Sequence, residues 1–211
     1  MAEVVKSYRV EPPELVGGAL CLDFLNTVSW RGDPADCGER LTSFGEFAAW
    51  CSAAGAVDKD QADTLASAGS AEPQRAAKTL ADAINLREAL ARIFAYRSQA
   101  ASVEVATVNR ILHEASAMPT LRIGSTGFEC TAGESAAPLR SPLQRIAWSA
   151  VEVLTTSRLD QVRQCTDPRC GWFFLDTSKS GRRRWCDMKA CGNRAKVRNF
   201  YRRRAAEREN R

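Results

Sequence analysis

The sequence predicts a mainly α-helical body with a small β-hairpin in it, then a C-terminal, treble-clef-like finger made of a β-hairpin plus a helix. Three observations carry that expectation. Apolar residues recur at helical spacing in the body, most clearly Leu143, Ile146, Ala147, Ala150, Val151 and Leu154 at i, i+3, i+4, i+7, i+8 and i+11. One glycine-punctuated stretch, LRIGSTGFECTAGE within residues 119–134, favours β structure instead. Near the end, Cys165 and Cys170 form a C-x4-C pair, and Cys186 and Cys191 form a second after fifteen intervening residues.

Residues 1–18 are polar, and Pro12-Pro13 and Gly17-Gly18 prevent regular helix there. Leu20, Leu22, Phe24 and Leu25 make a short apolar run, a helical turn or a buried segment. Asn26, Thr27, Arg31 and Arg40 follow it and are candidates to border a small-molecule pocket. The competing account is that Asn26 and Thr27 end a helix while the arginines pair with Asp23, Asp33 or Glu39. Ser43-x-x-Glu46 has capping-box form and opens a helix over about 41–54, closed by Gly55. Asp58 caps a second helix to about Ala68, and Gly69-Ser70 reads as a break. A long helix is expected over 71–99, with Leu86, Leu90, Ile93 and Phe94 on one face. The next helix turns Val105, Val108 and Leu112 inward. A hairpin follows around Gly124-Ser-Thr-Gly127, and Ser141-Pro142 starts the clearest core helix.

The totals bound the function. A 211-residue chain that is 45% hydrophobic holds a real core. No run of 18 apolar residues exists, and the first residues lack a signal-peptide core, so the expected location is cytoplasmic and no membrane is involved. A reducing compartment favours metal binding over disulfides. Cys21, Cys37, Cys51 and Cys130 are scattered singly and read as ordinary small residues. His113 is the only histidine, so multi-histidine hydrolase sites are absent and a Cys–His nucleophile pair would rest on it alone. No nucleophile–base motif or phosphate-binding glycine loop is present, and no catalytic residue is expected. The net charge of +5 is asymmetric: residues 179–211 hold 13 Lys and Arg against three acids, and the rest of the chain is net acidic. That distribution points to a polyanion partner for the C-terminal end alone.

Two close cysteine pairs separated by one hairpin's length of chain form a tetrahedral Zn2+ site, with Cys165, Cys170, Cys186 and Cys191 as ligands. The alternatives are two disulfides or four buried free thiols. Between the pairs, Gly171–Leu175 reads as a strand, Asp176–Gly181 as a turn and Arg182–Trp185 as the return. This hairpin would pack Trp172, Phe173, Phe174 and Trp185 over the metal, although the two tryptophans could instead stack on nucleic acid. After Cys191 a helix begins whose Val197, Phe200 and Tyr201 are expected to face the hairpin. Arg194, Arg198 and Arg202 line one flank, and Lys196 and Arg203 widen the basic surface. The alternative is a solvated basic face with no partner. No low-complexity linker precedes Cys165, so the finger is expected close to the body, with the boundary between residues 1–160 and 161–211.

The stretch GRRRWCDMKACGNRAKVRNFYRR resembles the CGNR zinc-finger family, named for residues numbered here Cys191, Gly192, Asn193 and Arg194. The likeness covers about residues 163–203. Upstream, LCLDFLNTV, Arg31, the Glu39-Arg40-Leu41 triplet and Trp50 before Gly55 resemble the ABATE domain of stress-induced transcription regulators. The resemblance implies a bacterial, zinc-binding, DNA-binding transcription regulator whose N-terminal domain senses a signal. On that reading Arg182, Arg183, Arg184, Lys189, Arg194, Lys196, Arg198, Arg202 and Arg203 contact DNA, and the body binds a small ligand or a second subunit as a homodimer. The competing readings are an RNA-binding module, a protein-interaction adaptor, and an enzyme with its site around Asn26, Arg31 and Arg40.

Overall fold

The computed structural model describes residues 7–8, 10–114, 120–124, 127–131 and 138–209. At its centre is a six-residue helix, α1 (Leu20–Leu25), whose Cys21, Leu22, Phe24 and Leu25 are all fully enclosed. Two short strands, β1 (Val28–Ser29) and β2 (Gly38–Glu39), pair antiparallel beside it. Helix α2 (Phe44–Ala53) brings Phe47 and Trp50 onto α1, with Trp50 5.2 Å from Phe24 between ring centres. Ser43 caps α2 by accepting the Glu46 N–H at 3.2 Å, as its sequence suggests. Glu46 does not reach back to close the box. Its carboxylate accepts from the Ser7 hydroxyl at 2.7 Å and the Tyr8 N–H at 2.8 Å, which ties the N-terminal segment to the body.

Helix α3 (Lys59–Ala71) has the complete capping box, Asp58 with Gln61. It continues through Gly69-Ser70, where the sequence reading placed a break. A Cβ on Gly69 would lie 2.6 Å from the Phe44 ring, so glycine there permits close packing rather than ending the helix. The break falls at Glu72, and α4 (Pro73–Tyr96) starts with proline in its first turn. It therefore begins and ends inside the expected span, closing with a 3-10 turn over Arg97–Gln99. Leu86, Leu90, Ile93 and Phe94 are buried as their spacing requires.

Helix α5 (Ser102–His113) is rotated from its expected face. It buries Glu104, Val108 and Ile111 and leaves Val105 47% exposed. The Glu104 carboxylate takes an ion pair from Arg92 at 2.6 Å, and this paired charge occupies the inward position. Strands β3 (Thr120–Gly124) and β4 (Gly127–Thr131) form the expected hairpin with Ile123 opposite Phe128; Ser125 and Thr126 of its turn, and the ends of the 119–134 span, lie outside the described residues. Helix α6 (Ser141–Leu154) buries Leu143, Ile146, Ala147, Ala150 and Val153 against α1, α4 and α5.

The finger departs from the expected hairpin. Strand β5 (Val162–Gln164) lies before the first cysteine and pairs antiparallel with β6 (Phe173–Leu175), Val162 opposite Leu175. Residues 182–185 are irregular and reach the first cysteine loop through one bond, Thr166 N–H to the Arg184 carbonyl at 2.9 Å. The first cysteine pair is thus itself the turn of the hairpin. Side chains alternate along a strand, and β6 uses that alternation to serve two cores. Phe173 and Leu175 join the body core, while Phe174 packs beneath the four cysteines. Helix α7 (Asn193–Glu209) follows a single π turn at Met188–Gly192. Val197, Phe200 and Tyr201 do not face the hairpin; they are 54%, 55% and 66% exposed. The space beneath the cysteines is already filled by Phe174 with Val16, Trp172 and Trp185, and α7 leaves the finger after its first turns.

Candidate metal centre and basic helix

The sulfurs of Cys165, Cys170, Cys186 and Cys191 lie within 4.8 Å of one another, and all four residues are buried. Cys170 to Cys186 is 3.6 Å and Cys186 to Cys191 is 3.5 Å. A disulfide needs about 2.05 Å. Four thiolates about 2.3 Å from a tetrahedral zinc stand roughly 3.8 Å apart, so the cluster has the dimensions of a zinc site. Hydrogen bonding from Cys170, then Cys186 and Cys191, pulls the Cys165 thiol far down, and the same contact with Cys165 pushes Cys170 and Cys186 up. A dication is the group that accommodates all four as thiolates.

Each cysteine pair is shaped by backbone. In the first, the Cys170 N–H donates to the Asp167 carbonyl at 3.0 Å, and Gly171 turns the chain at φ +68. The loop presses on the body: the Gly32 N–H donates to the Arg169 carbonyl at 3.1 Å. In the second, the Asp187 carboxylate accepts the Ala190 N–H at 2.6 Å. A Cβ on Gly192 would lie 2.5 Å from the Met188 sulfur, so the π turn closes only around glycine.

Zinc with four thiolates carries a net charge of about 2− and requires nearby donors. Arg194 supplies them. Its guanidinium donates to the Cys191 sulfur at 2.8 Å and, through Nε, to the Asp167 carboxylate at 3.0 Å. Burial works against its charge, but Asp167 and the thiolates outweigh that and raise its pKa. Asp167 is fully buried and also pairs with Arg198 at 3.3 Å.

Residues 161–204 match the CGNR zinc finger family, and residues 18–157, about two thirds of the chain, match the ABATE family, described as "Putative stress-induced transcription regulator". The chain belongs to the ABATE family. Its C-terminal CGNR finger binds zinc at the four-cysteine cluster. No curated protein matches the chain. Among the described residues no helix is long and apolar enough to cross a membrane.

The nine basic residues singled out in the CGNR region fall into two groups. Arg182, Arg184, Lys189, Lys196, Arg202 and Arg203 are exposed. Arg198 is exposed as well, although it reaches the buried Asp167, while Arg183 and Arg194 are half-buried and engaged within the protein. Arg183 lies 4.4 Å over the Phe174 ring and donates to the carbonyls of Trp185, at 3.0 Å, and of Cys186. Trp172 is fixed by its indole N–H on the Val28 carbonyl at 2.7 Å.

The four residues proposed to border a pocket in the ABATE body are engaged within the protein, and the Arg40 backbone N–H donates to the Thr27 carbonyl at 3.3 Å. Asn26 is buried and clamps β6, donating to the Phe173 carbonyl and accepting the Phe173 N–H, each at 2.9 Å. Thr27 is buried and accepts from Arg87 at 3.1 Å. Arg31 forks onto Glu88 at 2.6 and 3.2 Å. Arg40 lines a cavity, and its guanidinium lies 4.3 Å over the Tyr8 ring.

Sequence reasoning missed Arg87, Asp167 and Trp30. Arg87 is buried and joins Glu39 at 2.5 Å with Glu88 at 2.8 Å. Burial opposes its charge, but Glu39 and Glu88 outweigh that and raise its pKa. Nothing in the sequence marks Arg87, which follows Leu86 on an inward face. Asp167 did carry a signal: it is a carboxylate between two ligand cysteines, in a chain whose last ligand is followed three residues on by arginine.

Proposed function

We propose that this ABATE–CGNR protein is a DNA-binding transcription regulator. Zinc folds the finger, the exposed cations of α7 and of residues 182–184 contact phosphates, and residues 1–160 sense a small ligand that changes the affinity of residues 161–211 for DNA. The observation that carries this reading is α7 itself: a helix projecting from the finger with Lys196, Arg202 and Arg203 exposed, on a chain whose remainder is net acidic. Arginine also suits bidentate reading of guanine in the major groove. The setting is a bacterial cytoplasm, where the ligand thiols stay reduced. No catalytic role is assigned.

The test is fluorescence anisotropy with the zinc-loaded chain on DNA selected from a random pool, across a salt series. Neutralising Arg202 and Arg203 together should weaken binding and reduce the salt slope by about two. An unchanged slope would remove α7 as the contact.

A second reading, structured or single-stranded RNA, is favoured by the exposed Phe200 and Tyr201, whose rings meet edge to face at 5.6 Å beside the arginines. Exposed aromatics next to guanidinium groups suit stacking on unpaired bases. Competition between duplex DNA and RNA of the same length separates the two.

A further inference from the structure

A cavity of about 480 Å³ opens between the ABATE body and the CGNR finger, a volume within the range of small-molecule sites. The body contributes Trp30 and Arg40 to its lining, and the finger contributes Trp172, Cys191 and Arg194. Arg40 is the group that points to an occupant. It is half-buried, its Nε is enclosed without a hydrogen-bond partner, and among the described residues its guanidinium donates to no acceptor. Four of the nearby carboxylates are committed elsewhere, Glu39 to Arg87, Asp36 to Arg169, Asp187 to the Ala190 N–H, and Glu46 to Ser7 and Tyr8, while Glu11 and Glu14 also line the cavity. A buried guanidinium N–H without an acceptor is destabilising, and a planar carboxylate accepts from two guanidinium donors at once.

The other lining groups limit what carries that carboxylate. Trp172 is locked in place by its bond to Val28, and the guanidinium groups of Arg169 and Arg194 lie over the Trp30 ring, 4.8 and 4.6 Å from its centre. Trp30 adopts φ +54, a left-handed conformation that a bulky side chain takes only when its surroundings compel it. The fixed Trp172 indole offers flat apolar surface for a ring, and Trp30 bounds the same cavity. Glu14 lies at the same cavity and opposes a second negative charge on the occupant. Occupancy is felt in the finger because Trp30 touches Arg194, which in turn holds Cys191 and Asp167.

We propose that this junctional cavity binds a small aromatic monocarboxylate, with its carboxylate on Arg40 and its ring against Trp172. The inference rests on the reading of the body as a sensor and names the site and the chemical class it recognises. It is tested by calorimetry and tryptophan fluorescence on the full zinc-loaded chain with phenylacetate. Benzylamine has the same ring with opposite charge, acetate lacks the ring, and phthalate adds a second carboxylate. Phenylacetate should bind and change the tryptophan emission, with the other three about tenfold weaker or more. Arg40→Met should weaken phenylacetate binding by about tenfold or more while zinc content stays at one per chain. No binding of phenylacetate at millimolar concentration, equal binding of benzylamine, or an Arg40→Met variant that binds as the natural chain does would each overturn the proposal. The charge series uses the natural chain, so it decides the matter even where Arg40→Met does not fold. The sensor reading fails separately: phenylacetate that binds without changing DNA affinity keeps the cavity and removes the sensor. A compound of another class that shifts DNA affinity while phenylacetate does not bind removes the cavity assignment alone.

Discussion

Arg194 reaches from the first turn of α7 to Asp167 in the opposite cysteine loop, 3.0 Å from Nε to a carboxylate with no solvent exposure. The same guanidinium touches the Cys191 sulfur, so the final letter of the CGNR motif is a brace between metal ligand and helix. Removing one partner of a buried pair leaves an uncompensated charge. Arg194→Met should destabilise the finger by roughly 2–4 kcal/mol, the residual pairing with Arg198 limiting the loss. Adding Asp167→Asn should restore part of it. Zinc transfer to a chromophoric chelator measures this, and release as slow as in the natural chain would refute the brace.

Zinc should be present at one per chain, and Cys186→Ser should abolish it. Because Phe173 and Leu175 are held in the body, metal loss is expected to free the cysteine loops and α7 first. Amide exchange should therefore rise over 165–172 and 186–209 before it rises in α4 or α6. Simultaneous loss of protection everywhere would show that body and finger melt as one unit.

Arg87 is expected to matter more than its anonymity in the sequence suggests. Arg87→Met strands Glu39 beside Thr27, while Glu88 keeps its fork from Arg31, and should cost roughly 1–3 kcal/mol in denaturant unfolding. Arg87→Lys keeps the charge but loses the fork, so it should fall between the two. A loss under about 1 kcal/mol would mean that water replaces the network.

The Asp23 carboxyl should titrate far from its ordinary range. Burial pushes it up to about 6, although the Gly17 N–H, 2.7 Å away, favours the charged form. The folded value lies above the unfolded one, so the stability it contributes is complete below about pH 4 and is lost as pH rises through about 6. Carboxyl NMR should show the midpoint, and Asp23→Asn should flatten that part of the stability profile. A midpoint near 4 would contradict the burial argument.

Phe200→Ser and Tyr201→Ser should leave stability within about 0.5 kcal/mol, because both rings are solvent-facing. If those rings stack on bases, the same changes should weaken nucleic-acid binding. Unchanged binding to both DNA and RNA would reduce the pair to an ordinary exposed surface.

What was legible in advance divides along physical lines. The cysteine spacing fixed the metal cluster because two tight loops and a short connection leave few other ways to converge. The helices of the body were legible from their period. α7 was misread because Val197, Phe200 and Tyr201 at i, i+3 and i+4 imply a buried seam only if something covers it, and Phe174 had already taken that place. The pairing of 162–164 with 173–175 was invisible because three-residue strands carry too little alternation to announce a partner. Arg31 with Glu88, and Asn26 with Phe173, are contacts across 57 and 147 residues, which local pattern does not encode.

The alternation of β6 has a consequence for how this chain is made and remade. On the ribosome, the body lacks Phe173 and Leu175 until more than four fifths of the sequence has emerged, and Asn26 waits with an empty amide through all of that time. A graft that joined a foreign finger after residue 160 would therefore import two plugs cut for another socket. Exchange of fingers between relatives should succeed only when strand and socket travel together.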